Sequence, residues 1–106
     1  MDLQGPGLAF TKDQGSVATS SGDEALHEEA RRLARLLVSE IKLYNEELIE
    51  EGRRAGSIYS RLKEDIDRSR QMYEERIDPA LHGKDDYFYQ ELVQRLAGGD
   101  PSLLGM

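Results

Sequence analysis

Residues 23–77 read DEALHEEARRLARLLVSEIKLYNEELIEEGRRAGSIYSRLKEDIDRSRQMYEERI, and the fold turns on whether this stretch is one helix or two. No proline interrupts it, and helix formers dominate. Acid-to-arginine pairs recur at helical spacing: Glu28 with Arg32, Glu50 with Arg54, Glu64 with Arg68 and Asp67 with Arg70. Upstream, Ser21 and Glu24 have the spacing of a capping box. Asp23, Glu24, Glu28 and Glu29 would then place negative charge at the positive end of the helix dipole. An unbroken helix here would be about 80 Å long. A chain of 106 residues cannot cover such a helix with its own core, so it would need a partner.

The apolar period says what kind of partner. Ala30, Ala34, Leu37, Ile41, Tyr44 and Leu48 alternate steps of four and three, the seam of a coiled coil. The seam resumes at Tyr59, Leu62, Ile66 and Tyr73 after an inserted four residues, a stutter that unwinds a supercoil. These ten residues are the expected oligomer interface. Leu33, Leu36, Val38 and Leu43 flank the first half of the seam and widen its apolar arc. That width predicts a bundle of at least three helices around Ala30 to Leu48.

Gly52 and Gly56 fall at the stutter, and each costs about 1 kcal/mol against Ala inside a helix. Two readings compete. Either the helix runs through with a bend, or residues 53–57 turn, Ser57 caps a second helix and the halves fold into a hairpin. Arg53-Arg54-Ala55 are good helix formers, and no Pro or Asn-Gly forces a turn, so the continuous helix is favoured.

The expected organisation is a disordered arm over 1–22, a long coiled-coil helix over 23–77, a loop over 78–86, a short amphipathic helix over 87–97 and a flexible tail over 98–106. Gly5, Pro6, Gly7, Gly15 and Gly22 punctuate the arm, which carries no apolar period. Asp78-Pro79 ends the long helix. Asp86 is placed to cap the short helix, whose Phe88, Leu92 and Leu96 share one face and should dock back on the long helix. Gly98-Gly99 stops it. The fold class is therefore all-α and oligomeric, a homodimer in its simplest form.

Composition narrows the function classes. The chain holds 33% charged residues, two Phe, five Tyr and no Trp. With no Cys there is no disulfide framework, thiolate nucleophile or cysteine zinc site. Apolar runs reach only three residues, as at Leu36-Leu37-Val38, and no basic segment followed by an apolar one marks a signal peptide. A cytoplasmic protein without a membrane partner is expected. The formal net charge of -7 opposes a phosphate backbone, so no nucleic-acid partner is expected either.

No catalytic motif emerges. Glu24-x-x-His27 has the spacing of a di-iron ligand pair, but no second Glu-x-x-His supplies the facing half. The paired acids Glu46-Glu47, Glu50-Glu51, Glu64-Asp65 and Glu74-Glu75 lack the apolar surroundings that tune a general acid. The expectation is no catalytic, cofactor-binding or metal residue and no cofactor. The function expected is a non-enzymatic oligomerisation and protein-interaction module that dimerises or localises a partner protein. The alternative is a half-ferritin-like helical metal-binding subunit.

Residues HEEARRLARLLVSEIKLYNEELIEEGRR (27–54), IYSRLKEDIDRSRQMYEERI (58–77) and DYFYQELVQRLAGGDPSLLG (86–105) together resemble a helical module found at the C-terminal end of diverse bacterial proteins. In that group the module recurs while the preceding domains vary between zinc-ribbon and receiver-like types. The resemblance implies a bacterial, intracellular assembly module with no catalytic residues to carry over. Gly56 departs from the continuous helix of that pattern.

Overall fold

Asn45 and the pair Gly52 and Gly56 divide the expected long helix and fold it back on itself. A computed structural model describes residues 17–83 and 85–106, with side chains from Glu24 onward. Helix α1 covers Val17–Tyr44, α2 Glu46–Ala55, α3 Ile58–Arg61, α4 Lys63–Arg76 and α5 Tyr87–Glu91. A π-helical turn, Leu92–Leu96, continues α5, and 3₁₀ turns cover Pro79–Leu81 and Pro101–Leu104. The described residues form no strand, so the architecture is all-helical.

The first break is chemical. The Asn45 backbone leaves the helical region (φ -138°, ψ 34°). Its side-chain amide donates to the Ile41 carbonyl at 2.9 Å and to the Asp65 carboxylate at 3.0 Å. Asn competes with the helical backbone for such bonds, so it is a natural place for the axis to step. The second break reverses the chain. Gly56 takes the left-handed conformation (φ 64°, ψ 37°), which glycine adopts without the Cβ clash. The Ser57 N–H then bonds the Gly52 carbonyl at 2.8 Å. A Cβ on Gly52 would sit 2.7 Å from the Ile58 Cα, so α2 and α3 meet there backbone against backbone.

The continuous helix over 23–77 is thus replaced by a hairpin, and the physical reason is a close approach that only Gly52 permits. At the N-terminal end, α1 starts at Val17, upstream of the expected start at Asp23. Most of the expected arm, residues 1–16, lies outside the described residues.

The chain runs up through α1 and α2, down through α3 and α4, and up again through α5 and the π turn. His27 meets Tyr87 at the lower end, and Arg53 meets the Leu96 carbonyl at the upper end. Three helical segments therefore share the cross-section around α1, all supplied by one chain. Asp78 and Asp86 shape the lower turn: Asp78 accepts from the Ala80 N–H at 2.8 Å, and Asp86 accepts from the Tyr89 N–H at 3.1 Å. The 98–106 segment differs from the expected tail. Leu104 is fully buried, and a Cβ on Gly105 would sit 2.6 Å from the Gly56 carbonyl oxygen, so the last turn packs on the hairpin bend.

Candidate interaction surface

Helix α1 is the hub of the molecule, and its two faces differ in kind. Ala30, Ala34, Leu37, Val38 and Ile41 are at most 5% exposed, packed under α4 and α5. The opposite face carries Leu36 and Leu43, 54% and 64% exposed and seven residues apart. Seven residues is two helical turns, so the two leucines lie one above the other. Arg35, Glu40 and Lys42 stand beside them, also exposed.

The expected oligomer interface divides accordingly. Ala30, Ala34, Leu37, Ile41, Leu62, Ile66 and Tyr73 are buried by the chain's own helices. In the structure α1 packs this row against α4 of the same chain. Tyr59 is half-buried, while Tyr44 and Leu48 are exposed on either side of the Asn45 step. Phe88, Leu92 and Leu96 are fully buried against α1. The π turn adds Ala97 to that inward row, because its extra residue per turn keeps Leu92, Leu96 and Ala97 on one side.

Charged side chains brace this arrangement from outside, and no polar or charged residue is buried among the described residues. Arg70 grips Asp86 through two N–H···O bonds of 3.0 and 3.4 Å and lies 5.0 Å from the Phe88 ring centre. It thereby joins α4 to the start of α5. Arg53 donates to the Leu96 carbonyl at 2.7 Å and to the Arg95 carbonyl at 3.3 Å, a cation at a helix C-terminus. Within helices Glu50 takes Arg54 as expected, at 3.9 Å, and the other three partners shift. Glu28 takes Arg31, Arg68 takes Asp65, and Lys63 takes Asp67.

Two polar clusters merit a chemical reading. His27 Nδ1 lies 2.6 Å from the Tyr87 hydroxyl, which donates to Asp85 at 3.3 Å, and Arg31 covers the Tyr87 ring at 4.9 Å. Partial burial pushes the Tyr87 phenol upward. This cluster pins α5 to α1 at His27 and Arg31. Glu24 is exposed, and among the described residues no group of three or more His, Asp or Glu could share a metal ion. Tyr59 of α3 and Lys63 of α4 both donate to Asp67, at 2.7 and 2.9 Å. Those bonds lower the Asp67 carboxyl and raise the Tyr59 phenol and Lys63 ammonium. Deeper in, burial raises the Tyr73 phenol, whose hydroxyl has no hydrogen-bond partner among the described residues.

The outward leucine pair was legible only in part. Leu36 and Leu43 read as flanks of one broad apolar arc. The signal that separates them is their own seven-residue spacing, on the side of the helix away from Leu37, Val38 and Ile41.

No family model, curated protein or solved structure matches the chain. Among the described residues, no helix is long and apolar enough to cross a membrane.

Proposed function

We propose that the chain is a non-enzymatic, helical protein-interaction module whose contact face is the outward side of α1. One observation carries this reading. Leu36 and Leu43 stay 54% and 64% exposed while their neighbours Leu37 and Val38 are buried at 4% and 0%. The chain covers its own seam and leaves this second apolar row open, ringed by charges of both signs. Apolar side chains repeated on one helical face are a common form of protein-docking surface.

Site-specific photo-crosslinking in the source cell tests the reading. A photoreactive residue at position 36 or 43 should give discrete protein adducts. The same residue at exposed Glu75 on α4 should give none. Absence of adducts at 36 and 43, or equal labelling at all three positions, would overturn the proposal.

A further inference from the structure

The interaction reading above leaves the partner open, and the charges beside the leucine row point to one. We infer that the outward face of α1 pairs with the same face of a second copy of this chain, with the two helices parallel.

The argument starts from a heptad frame with Leu36 and Leu43 at a positions. The buried residues Ala30, Ala34, Leu37, Val38 and Ile41 then occupy only b, c and f. Leu36, Leu43, Arg35, Glu40, Lys42 and Glu47, at a, g and e, are exposed, and Leu33, the e residue one heptad earlier, leans on the core. Ser39 takes the intervening d position, where a small side chain lets two helices approach closely. In this frame Arg35 and Lys42 are g residues, and Glu40 and Glu47 are e residues.

A parallel pair sets each g residue against the e residue five positions further along the other chain. Arg35 then meets Glu40 of the second copy, and Lys42 meets Glu47 of the second copy. Two-fold symmetry repeats both contacts, so all four are attractive. An antiparallel pair sets g against g and e against e, which brings Arg35 and Lys42 onto each other and Glu40 onto Glu47. The same charges thus favour one orientation and oppose the other. None of the four is within ion-pair distance of an opposite charge among the described residues, so each is available. Applied to the buried seam, the same test sets Glu40 against Asn45 and Glu47 against Gly52, which attract nothing. Glu47 follows the Asn45 step, so the contact of Arg35 with Glu40 is the better placed of the two.

A face this short belongs with small, transient interfaces, below about 1,200 Å² in total. The pair should therefore be reversible and depend on concentration.

Sedimentation equilibrium of the full chain, from micromolar to millimolar, reads the inference directly. The expected result is a monomer of 12.0 kDa giving way to a dimer as concentration rises. Arg35→Glu alone, or Glu40→Arg alone, should weaken the dimer about 5- to 30-fold. The double variant Arg35→Glu/Glu40→Arg should restore it, because the parallel g-to-e contact is rebuilt with its signs exchanged. Unchanged helical circular dichroism confirms that each variant folds. A monomer at every concentration, or a double variant no better than the singles, would overturn the parallel pair. The two readings fail separately. Adducts at position 36 to a different polypeptide, with a purely monomeric purified chain, sink self-pairing and leave the interaction module standing. No adducts at all sink both.

Discussion

Gly52 and Ile58, six residues apart, stand with their backbones in contact, so close that a single added methyl group would reach 2.7 Å from the Ile58 Cα. Inside a continuous helix, Gly52→Ala would stabilise the protein by about 0.8–1 kcal/mol. In the hairpin the methyl must push α2 from α3, and overpacking of this kind costs about 1–3 kcal/mol. Gly52→Ala is therefore expected to lower the urea midpoint. Gly56→Ala should also lower it, at a cost of about 1–2 kcal/mol, through left-handed strain alone, since open space surrounds that position. A raised midpoint for either variant would contradict the hairpin.

The two faces of α1 should respond oppositely to truncation. Leu37→Ala removes a buried side chain and is expected to cost about 2–5 kcal/mol. Leu36→Ala and Leu43→Ala remove exposed ones and should stay within about 0.5 kcal/mol of the parent when measured at low micromolar concentration. Chemical denaturation of the three variants side by side checks this. A large loss at Leu36 would mean that the outward row is covered even in the isolated chain.

Tyr73 gives the molecule an alkaline limit. Burial holds its phenol above the ordinary 10.0, so the neutral form is the one the fold favours. Its contribution is whole below pH 10 and declines as pH climbs through the raised folded value. Stability should accordingly be flat from pH 8 to 9 and fall above 10. Tyr73→Phe should flatten part of that fall. It should also leave stability at pH 7 equal or higher, because the hydroxyl it removes is buried without a partner. Tyrosinate absorbance and urea unfolding across pH 8–11 measure both effects.

Arg53 ties the hairpin to the last helical segment through the Leu96 and Arg95 carbonyls. Hydrogen bonds to a charged group contribute about 1.5–3 kcal/mol. Arg53→Met keeps much of the stem and loses the bonds, and should cost about that much. Native-state hydrogen exchange should show the loss first at residues 92–104. Uniform loss across α1 and α4 would mean that the segment unfolds only with the whole.

The sequence carries the helical class in its period and its freedom from proline within 23–77. The cap at Asp86 and the stop at Gly98-Gly99 are equally local, since each depends on residues within four positions. The reversal at Gly56 is different. Arg53, Arg54 and Ala55 favour helix whichever way the chain goes, and the cost of two glycines is small against that preference. What decides the outcome is the contact between Gly52 and Ile58, which exists only once the chain has turned. Ala30, Ala34, Leu37 and Ile41 mark a seam, but a seam does not say whether its counterpart lies on another chain or on Leu62, Ile66 and Tyr73 further along the same one. Leu36 and Leu43 have a seven-residue spacing of their own, but their exposure follows only from the filling of that seam by the same chain.

The upper and lower ties of the third segment, Arg53 to Leu96 and His27 to Tyr87, join residues 43 and 60 positions apart, whereas the bend of the hairpin closes from Gly52 to Ile58 and from Asn45 to Asp65, 6 and 20 positions apart. During synthesis this gap becomes a delay. Helical hairpins form in microseconds to milliseconds, but the 30 residues after Arg76 take roughly 1.5–6 s to be made at about 5–20 residues per second. Without the third segment α1 has α4 alone to lie against, and the side of Ala30, Ala34 and Leu37 destined for Phe88 and Leu92 is bare. Until the third segment docks, the chain therefore shows two bare apolar faces, the side of Ala30, Ala34 and Leu37 and the outward row of Leu36 and Leu43, and afterwards only the second.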